Sequence, residues 1–141
     1  MEIGSYCGKS AIYLSKGAIL NDQLVYTIDH HFGSEEHQIN EEYFDNEIFD
    51  HKNQRVNTLP LLIKNINEMQ VKNIVPIISS SVQIASKWNT ELGMVFIDGG
   101  HSFKAANDDY ASWNTKIKQN GALVIHDIFE NPNEGGQAPF E

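Results

Sequence analysis

Short apolar runs recur along this chain, and four of them close on a residue suited to chemistry or to a tight turn. Residues 1–3 run into Gly4, residues 24–28 close on Asp29, residues 94–97 close on Asp98, and residues 122–125 close on His126-Asp127. Between the runs lie stretches with helical spacing: residues 10–20, 57–69, 81–89 and 103–117. A fifth run, 74–78, carries Pro76, which cannot donate to a ladder and so belongs on an edge strand. Strand followed by helix, several times over, predicts an α/β fold with a parallel sheet and right-handed crossovers. In such a sheet, ligands bind outside the carboxyl ends of the strands. The polar strand ends above would share that edge. The predicted fold is a Rossmann-like sheet of about five strands in the order 3-2-1-4-5.

Composition limits the function classes. The chain has 141 residues, enough for one domain with one core. Ten basic residues against nineteen acidic ones give a formal net charge of -9, which disfavours a phosphate backbone as partner. No apolar run approaches the length of a membrane span. No charged segment followed by an apolar one opens the chain, and Cys7 has no second cysteine to pair with, so the expected setting is cytoplasmic. The acidity gathers between residues 35 and 50, which reads as a solvated face or an insertion. Residues 33–57 carry no readable code. Their length and the aromatics Tyr43, Phe44 and Phe49 also fit a lid.

Three residues separate Gly4 from Gly8 in Glu2-Ile3-Gly4-Ser5-Tyr6-Cys7-Gly8-Lys9-Ser10. A phosphate-binding P-loop needs four residues there, and a dinucleotide fingerprint needs a middle glycine. Asp29, about twenty residues past the glycines, is placed to accept hydrogen bonds from ribose hydroxyls, with His30 beside it. His31 reads as a surface residue. Asp98, His126 and Asp127 come from two strand ends and could hold Mg²⁺ or a similar divalent cation. His101, in Asp98-Gly99-Gly100-His101, would stand beside that ion as a base for a substrate hydroxyl. Asp108 and Asp109 fall on the following helix and read as part of its solvated face.

Taken together, the segments EIGSYCGKS, VYTIDHH with GSEEHQ, SSSVQIASKW, MVFIDGGHSFKAANDDYASW and GALVIHD resemble the bacterial class I methyltransferases of the macrocin and macrolide sugar O-methyltransferase group. The acidic residue followed by G-x-x-x-G is similar to the first motif of that class. The resemblance implies S-adenosylmethionine as cofactor and methyl transfer to a hydroxyl of a small molecule or sugar. It implies that Glu2, Gly4, Ser5 and Gly8 line the methionine end, that Asp29 and His30 hold the ribose, and that Ser80 and Ser81, with Asp98, complete the cofactor site. It also implies His101 as general base and a divalent cation on Asp98, His126 and Asp127.

Members of that group carry a helical segment before the first strand and an antiparallel hairpin after the fifth. Residues 1–141 therefore read as one methyltransferase domain, incomplete at both ends and truncated before the final hairpin, with an exposed sheet edge that would favour self-association. Two other readings stay open. Asp29-His30-His31 with His126-Asp127 resembles the signature of a metal-dependent phosphoesterase, although no histidine precedes His30. A non-catalytic remnant of the fold is the other.

Overall fold

The computed structural model describes residues 1–41 and 43–131. Most of the expected turn-rich tail, and the ending Pro139-Phe140-Glu141, lie outside the described residues. Among the described residues, seven strands form: β1 (Glu2–Ile3), β2 (Val25–Asp29), β3 (Phe49–Asp50), β4 (Arg55–Val56), β5 (Ile74–Ile78), β6 (Leu92–Ile97) and β7 (Ile117–Ile125). Four α-helices accompany them: α1 (Lys9–Ala18), α2 (Leu59–Glu68), α3 (Ser81–Ala85) and α4 (Phe103–Trp113). Five strands make one sheet in the order β5-β2-β1-β6-β7, and every pairing in it is parallel. Counting only those five strands along the chain, the order is 3-2-1-4-5, as predicted. Pro76 lies on β5, the edge strand, where its missing N–H costs no ladder bond.

One core packs the sheet against α3 and α4. Ile3, Ile28, Val95 and Ile97 meet Ala85 and Trp113, the last fully buried. Trp88 stands edge-on to Tyr26, with ring centroids 5.1 Å apart, and tilts against Trp113 at 6.0 Å. Trp113 sits at the end of α4, so this packing fixes how the helix hangs from the loop that precedes it. Losing such an aromatic typically costs about 3–5 kcal/mol.

Three boundaries shift by more than two residues from the sequence reading. α3 stops at Ala85 rather than near Asn89, where the Lys87 and Trp88 amides turn to the carbonyls three residues back, Ile84 and Ala85, at 3.0 and 3.2 Å, and the Trp88 carbonyl accepts from the Lys116 ammonium at 2.9 Å. α4 gives way to a 3₁₀ turn after Trp113, and Ile117 already belongs to β7. β7 begins early because it bulges: Leu92 pairs with Ile117, yet Met94 pairs with Ala122.

The segment between β2 and α2 is not merely a solvated face. β3 and β4 pair antiparallel, and Ile48, Phe49 and Val56 bury together against Cys7, Phe44 and Leu61. This second core roots the insertion on the glycine loop. Among the described residues, no helix is long and apolar enough to cross a membrane.

Candidate active site at the carboxyl edge of the sheet

Gly4 ends β1 with φ at +86°, and a Cβ there would lie 2.0 Å from the Asp98 carbonyl oxygen. Gly8 starts α1 with φ at +87°. Both positions need glycine, the first because backbone meets backbone and both because of the left-handed conformation. Between them Tyr6, at φ 46°, is held in the same region without that excuse. The strain is offset by Asp29. Its Oδ2 accepts from the Ser5 and Tyr6 amides at 3.1 and 2.8 Å, and its Oδ1 accepts from the His31 amide at 2.6 Å. A carboxylate offers about four acceptor positions, so Asp29 keeps capacity for a ligand hydroxyl.

Glu2 is fully buried beneath the loop and accepts from the Thr27 hydroxyl. Burial pushes its carboxyl above the usual range, with the Ser10 and Thr27 hydroxyls opposing the shift. Among the described residues, Glu2 Oε1 and Ser5 Oγ are buried without a hydrogen-bond partner. Orphaned buried oxygens are costly unless a ligand or water satisfies them. Two of them beside a glycine cradle fit the polar methionine end of S-adenosylmethionine. On the far side of Asp29, the Ser79 amide donates to the Asp29 carbonyl at 3.1 Å, which brings Ser80 and Ser81 to the same edge.

The histidines after Asp29 part company. His30 is half exposed and stacks on Phe32, whose amide donates to its Nδ1 at 3.0 Å. His31 corrects the expectation of a surface residue. It is only 2% exposed, and its Nδ1 lies 2.7 Å from the Thr58 hydroxyl, so it ties the insertion to the start of α2. Burial holds its ring below the usual histidine range. An Asp-His-His metal site would need His31 turned outward. The other half of that proposed site, on β7, is three strand spacings from β2, about 14 Å. The phosphoesterase constellation is therefore not assembled.

At the ends of β6 and β7 the side chains do converge. Ligand atoms of Asp98, His101 and Asp127 all lie within 4.8 Å of one another. His126 flanks them, its Nδ1 at 3.2 Å from Asp98 and 2.9 Å from Asp127, with over half of its side chain exposed. Asp98 is pushed above the usual carboxylate range, chiefly by burial and further by Asp127, while His126 and His101 act against that. Two carboxylates and the His101 imidazole gathered this way fit a divalent cation, with His126 beside the group rather than in it. Asp98 does not cap α4. Ser102 does, accepting from the Ala105 amide at 3.3 Å.

Two residues were missed in the sequence. Asp109 is buried rather than solvated, and accepts from the Ser81 hydroxyl. Burial raises its carboxyl above the usual range. It lies four residues before Trp113, on the same buried stripe, and that spacing was the available signal. Asp108 pairs with Lys104 on the outer side, as expected of a solvated face. Glu36, from the acidic insertion, reaches His101 Nδ1 at 3.1 Å, while His101 Nε2 lies 3.1 Å from Asp127.

Comparison with known proteins agrees with this fold. The family described as "Methyltransferase domain" matches residues 1–128. Among solved structures, that of the O-methyltransferase NovP is similar, with a TM-score of 0.66 at 12% identity over 94% of this chain. The chain spans 58% of the length of that protein. At that identity the likeness establishes the shared fold.

Proposed function

The chain belongs to the methyltransferase domain family, and from that premise we propose that it transfers the methyl group of S-adenosylmethionine to a hydroxyl oxygen of a small molecule, with sugars as the leading acceptor class. One observation carries the reading. The glycine loop and the acid–histidine cluster are in contact, because Gly4 packs directly on the Asp98 carbonyl. A site for the donor and a site able to take a proton therefore adjoin.

In this reading Glu2, Ser5 and the loop at Gly4 and Gly8 hold the methionine end, Asp29 and His30 the ribose, and Ser80, Ser81 and Asp98 the remainder of the cofactor. S-adenosylmethionine supplies a methyl group on a sulfonium centre that needs no further activation. What remains for the protein is chiefly positioning, which can lower a barrier by about 7–11 kcal/mol. His101 takes the acceptor's hydroxyl proton as the oxygen acquires the methyl group. Asp98 and Asp127, with His126 drawn in from beside them as third ligand, would hold a divalent cation, whose contribution would be to lower the proton affinity of that hydroxyl. His101 is then left for the proton. The rings of Tyr6, His37 and Tyr43 form a run, with centroids 5.2 and 6.4 Å apart, and suit the apolar face of a sugar or a flat ring.

The test is calorimetric titration of S-adenosylhomocysteine into the purified protein and into Asp29→Ala, with and without Mg²⁺. The expected result is binding by the wild type that weakens at least about tenfold in the variant, a loss of about 1.4 kcal/mol. A folded wild-type protein that binds no S-adenosylhomocysteine under either condition overturns the proposal.

A further inference from the structure

The loops after β5 and β6 leave strands that lie three spacings apart in the sheet, about 14 Å. One side chain nevertheless touches both loops. Asp109, on α4, is only 7% exposed, and its Oδ1 accepts from the hydroxyl of Ser81, just past the end of β5. Its Oδ2 lies against Gly99, just past the end of β6, where an added Cβ would stand 2.7 Å from that oxygen. Gly100 beside it is not crowded in this way, since its Cβ would meet Ala105 and Ser34 at an ordinary 3.5 Å. Both oxygens of Asp109 hang from one carbon. It can therefore retreat from Gly99 only by disturbing its bond to Ser81.

Each loop adjoins the candidate cofactor site. Two residues before Ser81, the Ser79 amide donates to the Asp29 carbonyl at 3.1 Å. One residue before Gly99, the Asp98 carbonyl packs on Gly4, and the Asp98 side chain joins the cluster with His101. We propose that Asp109 is a positioning residue for the cofactor: it ties the loop at Ser81 to the loop at Gly99, and so fixes the nucleoside side of the site relative to the side where the methyl group is transferred. The inference deepens the methyltransferase reading and rests on it for its purpose. Asp109 is buried beneath both loops, so it acts through them. The tie spans the ends of β2 and β1, which carry Asp29 and Gly4, and it is made by side-chain contact where no strand pairing joins the two loops.

The tie is tested first without a ligand. Backbone amide signals are compared in ¹H–¹⁵N spectra of the wild type, Ser81→Ala, Gly99→Ala and Asp109→Ala. Ser81→Ala should move the signals of residues 99–101, and Gly99→Ala those of residues 79–82. In the Asp109→Ala background, Ser81→Ala should no longer move residues 99–101. Calorimetric titration of S-adenosylhomocysteine then reads the consequence. Affinity should fall at least about fivefold in Ser81→Ala and in Asp109→Ala, and the double variant should be no weaker than the weaker of the two. Asp109→Asn, whose amide oxygen can still accept from Ser81, should stay within about twofold of wild type. Signals of residues 99–101 that ignore Ser81→Ala, or a folded Asp109→Ala that binds as tightly as wild type, overturn the proposal. If Asp109→Ala does not fold, the signals in Ser81→Ala and Gly99→Ala decide it. A wild type that binds no S-adenosylhomocysteine would count against the methyltransferase reading, and the tie between the loops would still stand or fall on those signals.

Discussion

The two halves of the site edge are built from different material. Around β1 and β2, the groups that would meet a ligand also hold the chain together: Gly4 is wedged against the Asp98 carbonyl, and Asp29 anchors three amides. Around β6 and β7, Asp98, His101, His126 and Asp127 contact one another through side chains. The first half is backbone geometry, and the second is side-chain chemistry on a finished scaffold. Changes in the first should register as lost structure before lost binding, whereas changes in the second should leave stability nearly untouched.

The largest effect should come from Gly4→Ala. The new Cβ would have to move a backbone carbonyl that is 2.0 Å away, at a φ that L-residues avoid. A loss of about 3 kcal/mol or more is expected in urea unfolding. Gly8→Ala should cost less, because its Cβ would meet only the Leu62 Cδ1 methyl at 2.4 Å, the mobile end of a side chain. Equal losses at the two glycines would break the claim that backbone contact with β6 sets the loop.

Asp29→Ala comes next. It removes the acceptor for three N–H groups, one of them on the strained Tyr6. Hydrogen bonds to a charged group are worth about 1.5–3 kcal/mol each, but solvent can reach the exposed Tyr6 amide, so a net loss of about 2 kcal/mol is expected in the same unfolding assay. Asp29→Asn should recover part of it. A stability equal to wild type would mean that Asp29 serves a ligand alone, and the contrast between the halves would lose its second support.

The same division explains what the sequence disclosed. The sheet order and the residues at its edge were legible because they follow from local rules: apolar runs make strands, strand ends carry ligands, and proline avoids inner strands. Asp29, Asp98, His101, His126 and Asp127 all sit where such rules put them. Asp109 was obscured by its neighbour Asp108, because two adjacent carboxylates read as one solvated patch although helical geometry separates them. His31 and Glu36 could not be read, since their roles depend on Thr58 and His101, far along the chain. The bulge in β7 was hidden in Lys118-Gln119-Asn120, which shows no alternation.

His31 extends the comparison to pH. Its folded value is lowered by burial from about 6.5, so below that pH the unfolded chain takes up a proton that the native ring refuses. Stability should fall as pH drops from about 6.5 toward the lowered folded value, and should not depend on this group above 6.5. Glu2, Asp98 and Asp109 work the other way, at the acid end. Their raised folded values let the native state take protons first, which favours folding as pH falls through those values toward the ordinary carboxylate range. The two contributions separate in His31→Gln, which should lose the slope just below pH 6.5 and keep the carboxylate one. An unchanged slope in that variant would show that His31 is not the group responsible.

The smallest effect expected on stability is the one that sharpens the contrast most. Asp127→Asn removes a negative charge that faces Asp98, and the amide oxygen can still accept from either His101 or His126. Like charges at a site cost stability, so the variant should unfold within about 0.5 kcal/mol of wild type, on the stable side if at all. Mg²⁺ should then raise the melting temperature of the wild type and not of the variant, because a bound ion stabilises only the protein that holds it. A variant that loses 2 kcal/mol or more would mean that this half, too, holds the fold together, and the division between scaffold and chemistry would have to be redrawn along some other line.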